Sequence, residues 1–136
     1  MSLGADLRTW LLAQGGISAL VGTRVHQNRA PEGYDGPYIY FRRRSVTHED
    51  TVDMPAGDAA FEQSFDVEAI AEDQDQAMDL GELLLALHAY RGSFGGGTVQ
   101  GVFVEDQSDD YVPRGLMGDT ALEFAALDFN IIGYTP

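Results

Sequence analysis

The sequence predicts an α+β domain: a largely antiparallel β-sheet with one main helix packed across a face, and short helices at the N-terminus. Three observations predict it. Between Phe61 and Gly92 the chain changes period. Phe61, Gln63, Phe65, Val67, Ala69 and Ala71 alternate with Glu62, Ser64, Asp66, Glu68 and Ile70, and the apolar positions then fall at Ala77, Leu80, Leu83, Leu84 and Leu87. The first pattern is a strand with one buried face and the second an amphipathic helix. Strand-like runs flank this unit on both sides, and helical spacing recurs near the N-terminus. The resulting order is helices, three strands, helix, two strands. With 136 residues, 44% of them hydrophobic, and no internal repeat, the whole of 1–136 is expected to be one domain able to bury a core without disulfides or metals.

Taken in order, Ala5 to Ala13 reads as a short helix with Leu7, Trp10 and Leu11 on its apolar side, ended by Gly15 and Gly16. Ile17 to Val21 adds a further turn or two. Trp10, the only tryptophan, is expected to anchor the core. Thr23 to Asn28 is a short strand, and Arg29 to Gly36 a loop marked by Pro31, Gly33 and Gly36. Pro37 to Arg44 is a strand in which aromatic and β-branched residues follow a first-position proline, with Tyr38, Tyr40, Arg42 and Arg44 on one face and Ile39, Phe41 and Arg43 on the other. Ser45 to Ala60, rich in acid, Pro and Gly, reads as a long hairpin connection.

The main helix starts at Asp73, which forms a capping box with Gln76, and runs to Tyr90, about 27 Å at about 1.5 Å per residue. Asp75 and Asp79 suit the positive end of its dipole and His88 and Arg91 the negative end, with Gly92 as a left-handed stop. Ser93 to Gly97 is then a glycine-rich turn, Thr98 to Glu105 a strand with Val99 and Phe103 on one face, and Asp106 to Gly118 an acidic loop. The last strand, Thr120 to Tyr134, changes its inward phase between Leu122/Phe124 and Leu127/Phe129/Ile131, which a β-bulge near Ala125 or Ala126 explains.

Composition narrows the chemistry. The formal net charge is −14, and all eight basic residues are arginine. That field opposes stable binding of nucleic acid through phosphate neutralisation. Without cysteine there is no thiol catalysis, disulfide framework or cysteine-ligated zinc. No apolar run reaches the roughly 18 residues a membrane helix needs, so no membrane partner is expected. His48, Glu49, Asp50 and Asp53 read as a solvated acidic loop and not as a metal site. Asp106, Ser108 and Asp110 match the start of a calcium loop, but Tyr111 and Met117 stand where its glycine and glutamate belong. Arg91 to Gly97 lacks the ending of a phosphate loop, and no Gly-x-Ser-x-Gly elbow is present. His26 and His88 read as structural. No catalytic, cofactor-binding or metal-binding residue is assigned. Arg42, Arg43 and Arg44 form the one dense basic patch, either guarding a sheet edge or touching an acidic partner such as a second copy.

The order of motifs carries a resemblance. An N-terminal Leu-x-x-Trp-Leu-Leu helix leads through Ala19-Leu20-Val21-Gly22-Thr23-Arg24-Val25 to Ala30-Pro31 and Pro37-Tyr38-Ile39. Phe65-Asp66-Val67 then runs into the helix ending Leu87-His88-Ala89-Tyr90-Arg91-Gly92, followed by Gly101-Val102-Phe103. Over almost its full length the chain resembles the tail-completion, or tail-terminator, proteins of long-tailed bacteriophages and prophages. The resemblance implies a non-enzymatic subunit, without cofactor, of a six-fold ring at the head-proximal end of the tail tube. The ring stops tube polymerisation and joins tail to head, so the implied partners are its own copies, the tail tube protein and the head-tail connector. The implied location is the virion tail, after synthesis in the bacterial host cytoplasm. In such a ring at least one acidic loop, Glu49 to Asp58 or more readily the one bearing Glu105, Asp106, Asp109 and Asp110, is expected to face the lumen, where carboxylates let DNA slide. Two other readings stay open: a small acid-dependent hydrolase or metal-binding enzyme, whose carboxylates would converge in one pocket, and an adaptor of a secretion apparatus related to phage tails.

Overall fold

A computed structural model describes residues 3–29, 31, 33–48, 61–112 and 122–135. The elements are α1 (Leu3–Leu12), α2 (Gly15–Val21), β1 (Val25–Gln27), β2 (Tyr38–His48), β3 (Phe61–Ala71), α3 (Gln74–Leu85), β4 (Tyr90–Phe94), β5 (Gly97–Val112) and β6 (Leu122–Ile132). They form one six-stranded sheet in the order β1-β2-β3-β6-β5-β4. Every neighbouring pair is antiparallel except β1 with β2. The fold class is thus the one the periodicity predicts.

The alternation in β3 builds the core. Gln63, Phe65, Val67, Ala69 and Ala71 are all buried. Across the ladder to β6, Phe65 pairs with Phe129, Val67 with Leu127 and Ala69 with Ala125. Ile39 and Phe41 of β2 and Val102 and Val104 of β5 extend the same apolar face. Helix α3 covers it through Ala77, Leu80, Gly81 and Leu84 and touches β6, β3 and β5. Its approach is close: a Cβ on Gly81 would stand 3.0 Å from the Ala125 Cβ. The Asp73 side chain caps the helix by accepting a bond of 3.0 Å from the Asp75 N–H.

Several boundaries move, each for a physical reason. Gly15 and Gly16 open α2 and do not merely end α1. Helix α3 stops at Leu85, short of Tyr90, because the sheet claims the backbone beyond: the Ala89 N–H already donates to Val102 O at 2.7 Å. The residue that turns the chain at this exit is Ala89, with φ 67°, while Gly92, at φ 126°, lies beyond it within β4. Leu87 is accordingly half-buried at the rim of the core. The glycine-rich turn shrinks to Gly95 and Gly96, and Tyr90–Phe94 is a strand that helical spacing had hidden. Its register to β5 slips between Tyr90 and Gly92, so Val99 and Phe103 take opposite faces, at 4% and 39% exposure.

The segment read as an acidic loop is strand as far as Val112. Asp106, Asp109 and Asp110 pair in register with Leu127, Ala125 and Phe124. The bulge expected in β6 lies instead in its partner, between Asp106 and Ser108, opposite Leu127 and Ala126. Strand β6 itself runs without a slip along β3. Its apparent change of phase arises because Leu122 and Phe124 join Tyr38 and Ile70 in a second, smaller cluster. Strand β2 continues through Ser45 to His48, paired with Phe61–Ser64, and carries a register shift between Arg43 and Ser45. The remainder of the expected 45–60 connection, with Glu49, Asp50, Asp53 and Asp58, lies outside the described residues.

Helix α1 touches both β1 and β4, the two ends of the sheet order. Leu3, Leu7, Trp10 and Leu11 face the core, and Trp10 packs on Tyr90 and Phe94 at centroid distances of 5.0 and 4.7 Å. At 3.6 residues per turn, Asp6 and Arg8 fall on opposite flanks of that stripe. Asp6, 1% exposed, accepts a bond of 2.9 Å from the Gly96 N–H and another from the Tyr134 hydroxyl. Arg8 donates to Val25 O at 2.9 Å and Thr23 O at 3.1 Å. Gly95, at φ 60°, leaves room for this contact, since a Cβ there would lie 2.7 Å from the Asp6 backbone. The Tyr134 and Gly96 donors hold the Asp6 carboxyl below its ordinary 3.8. Burial and Asp6 push Tyr134 up to about 12.

Two outcomes follow for stability. Leu84→Ala, at a fully buried position under α3, is expected to cost about 2–5 kcal/mol in denaturant unfolding; a loss under about 0.5 kcal/mol would place Leu84 outside the core. Asp6→Ala removes the acceptor of a buried hydroxyl and is expected to cost about 1–3 kcal/mol near neutral pH. Because the folded-state pKa of Asp6 is lowered, its contribution is complete above pH 3.8 and lost as pH falls through the folded value. The raised Tyr134 contributes below pH 10.0 and loses that contribution as pH rises toward about 12. The gap in unfolding free energy between wild type and Asp6→Ala should narrow toward the acid end; a gap constant with pH contradicts the assignment.

Candidate interaction surface

The second face of the sheet carries polar chemistry because each strand that buries one set of residues presents the alternate set here. It holds Tyr38, Tyr40 and Arg42 from β2, Ser64, Asp66, Glu68 and Ile70 from β3, Leu122, Phe124, Asp128 and Asn130 from β6, and Phe103 and Glu105 from β5. Register places Arg42 opposite Asp66, Asp66 opposite Asp128, and Asp128 opposite Glu105. The result is one charged row across four strands. Carboxylates facing each other across a ladder repel. The irregularity after Arg43 sets Arg44 where its guanidinium reaches both, donating from Nη1 to Asp66 Oδ1 at 3.0 Å and to Asp128 Oδ1 at 2.6 Å. Arg42 stands farther off, 3.9 Å from Asp66. With the Arg42 and Arg44 side chains 62% and 45% exposed, each such pair is worth at most about 1 kcal/mol.

The three arginines also occupy an edge. Strand β1 pairs only with Ile39–Phe41, so from Arg42 onward β2 has no strand on its outer side among the described residues. An irregular, cationic edge of this kind resists strand addition. Arg43 alternates to the helix-bearing face and donates to Gln63 Oε1 at 3.4 Å. Glu105, expected where a strand gives way to an acidic loop, is exposed within β5 at the far end of the charged row. Arg42 and Glu105, from two separate sites in the sequence, thus lie at opposite ends of one row, whereas Asp106, Asp109 and Asp110 continue along β5. Asp66 and Asp128 were not among the candidate residues. Alternation placed Asp66 on a polar face, but nothing local paired it with Asp128.

Above the row, Tyr38, Ile70 and Leu122 are buried among Tyr34, Tyr40 and Phe124. The Tyr34 hydroxyl accepts from the Glu72 N–H at 3.1 Å. Burial raises the Glu68 carboxyl above its ordinary 4.5, with Asp66 adding to the rise and Arg42 opposing it. Burial, with Glu68 next, also raises Tyr38. Both histidines with a structural reading are engaged: His26 meets the Tyr38 ring edge-on, and His88 Nδ1 accepts from the Val104 N–H at 3.0 Å while its ring meets Phe103. Among the described residues no three His, Asp or Glu side chains are grouped to hold a metal ion. The open depression lined by Arg91, Gly92, Val99 and Gln100 brings no acid or histidine together.

Comparison with known proteins identifies a family and a fold. The family model described as tail completion protein gp17 matches residues 5–131. No curated protein matches. A solved chain described as "Virion of native gene transfer agent (GTA) particle" is similar with a TM-score of 0.55 and 17% identity, over 97% of this chain and 98% of that one. A second solved chain is similar with a TM-score of 0.51 and 16% identity, over 100% and 99%. At such identities the likeness is one of fold.

Glu68 gives this surface a measurable signature. Its raised pKa means that ionisation costs more in the folded than in the unfolded chain. Glu68→Gln is therefore expected to stabilise by about 0.5 kcal/mol at neutral pH, and the gain should vanish below pH 4.5, where the wild-type carboxyl is protonated as well. Paired unfolding curves at the two pH values check this; a destabilised Gln variant at neutral pH contradicts it.

Proposed function

The chain belongs to the tail completion protein gp17 family, and from that membership we propose that it is a structural component of a bacteriophage tail which caps the head-proximal end of the tail tube as a ring. In that role it ends tube polymerisation and joins the tail to the head, acting with copies of itself, the tail tube protein and the head-tail connector, and residing in the virion after synthesis in the host cytoplasm. The family match over nearly the whole chain is the observation that carries the reading. Two structural features support it. The sheet edges are blunted, β1 by Arg8 on Val25 O, β2 by Arg42–Arg44, and β4 by the Tyr90 hydroxyl donating to Ser93 O; a terminal subunit must not template further strand addition. The described stems of the two long hairpins end at His48 with Phe61 and at Val112 with Leu122, at opposite ends of the sheet. That arrangement suits a subunit with one neighbour above and another below.

Within this reading the stretch of β5 that bears Glu105, Asp106, Asp109 and Asp110 faces the bore, where its negative charge denies DNA phosphates a foothold. Arg42, Arg43 and Arg44 serve the contact between copies. A charge of −14 on each copy opposes association, so isolated subunits stay apart or associate weakly until a tube end supplies contacts.

Electron microscopy of particles made with and without the gene tests the role. Without it, tails of irregular length detached from heads are expected; tails of normal length joined to heads would overturn the proposal. Sedimentation of the purified chain is expected to show association rising as salt shortens the screening length to about 10 Å at 0.1 M. A tight oligomer at low salt that loosens as salt rises would show that long-range repulsion does not control assembly.

A further inference from the structure

The outward side of α3 is chemically unbalanced. Asp75, Met78, Asp79 and Glu82 are all exposed and stand three or four apart, so they form one contiguous stripe. Asp75 and Asp79, and Asp79 and Glu82, are like charges at the spacings that weaken a helix. Among the described residues no arginine pairs with them: the ion pairs join Arg42 and Arg44 to Asp66 and Asp128. Met78, 41% exposed, is one of two large hydrophobic residues left open among the described residues.

The unpaired edge of β2 has the opposite imbalance. Arg43 lies on the helix-bearing side with the neutral Gln63 Oε1, at 3.4 Å, as its partner. Arg42 is 62% exposed and 3.9 Å from its carboxylate. Among the described residues the chain thus presents a cationic edge on which Arg43 has no carboxylate partner and an acidic helix face with no cation, and the two do not pair with each other.

We infer that these two surfaces meet between copies: the β2 edge of one subunit, led by Arg43, docks on the α3 face of the next around Met78 and Asp79. The inference rests on the ring reading and deepens it. Arginine fits this surface better than a compact cation, because its aliphatic stem covers the Met78 thioether while the guanidinium reaches the flanking carboxylates. The two patches differ, so the contact is heterologous, the type that repeats head to tail and closes into a ring when the rotation permits. The contact is short-ranged and partly desolvated, so salt screens it less than it screens the repulsion between whole subunits.

Charge exchange and cross-linking test it, on full-length protein assembled at moderate salt and on tail tubes. Arg43→Glu and Asp79→Arg, each confirmed as folded by circular dichroism, are expected to weaken association at least about tenfold, and the double variant to recover it. Because the chain has no cysteine, Arg43→Cys with Asp79→Cys introduces its only thiols. Oxidation should link subunits into a ladder that ends at the ring, while either single variant yields dimers at most. If wild type assembles and the single charge variants assemble equally well with no ladder in the double-cysteine chain, the docking surface is wrong and the ring stands. A ladder that stops at dimer overturns the head-to-tail contact. If wild type forms no ring either alone or on tube ends, both readings fall.

Discussion

The bridge that α1 makes between β1 and β4 constrains everything else in this fold. Six strands at about 4.8 Å spacing span about 24 Å when flat, whereas a helix with its side chains is about 10–12 Å across. A single helix can meet both end strands only if the sheet curls, and the contacts of α1 with β1 and β4 require that curl. The helix then faces two edges with opposite needs. At the β1 end Arg8 donates to the carbonyls of Val25, in the strand, and of Thr23, just before it. Near the β4–β5 turn a backbone N–H and a tyrosine hydroxyl need an acceptor, and Asp6 supplies it. An acid and a base two residues apart on one helix serve two ends of one sheet because Leu7 between them points into the space the curl encloses.

That closure accounts for where the remaining chemistry lies. With α1 and α3 filling the inner side, the polar alternates of every long strand collect on the outer face. There they meet a constraint of their own: register sets Asp66, Asp128 and Glu105 side by side. The bulge after Arg43 is the local answer, since it turns Arg44 onto the same face as its acids. Even so the face stays acidic, and its arginines gather at one edge. Among the described residues this face is a row of ion-paired charges beside a small apolar cluster.

How much was legible in the sequence can be judged element by element. Strand β3 was readable to the residue, because its alternation follows from burial of one face and needs no knowledge of its neighbours. The cap at Asp73, the core role of Trp10 and the inward set of α3 were readable for the same reason: each depends on spacing within a few residues. The acidic run from Asp106 to Asp110 was not, since its composition argues for solvent and only pairing with β6 makes it strand. Tyr90–Phe94 was hidden in the same way behind the helix that precedes it. The α3 exit, the side on which Phe103 emerges and the strand that carries the bulge all turn on register, which belongs to two strands at once.

The same division separates what the sequence by itself determined from what tertiary structure decided. Alternation, helical spacing, caps and turn residues determined the α+β class, the order of most elements and the apolar face of each, because these are properties of a chain segment in contact with its own neighbours. The motif order was enough to place the chain near tail-completion proteins. Only the folded chain decided that Asp6 reaches Tyr134, 128 residues away along the chain, and that Arg44 lies between Asp66 and Asp128. It alone left Arg43 beside a neutral partner. Such pairings join residues far apart in sequence, and their energy depends on burial and distance, quantities that no local pattern of residue types contains.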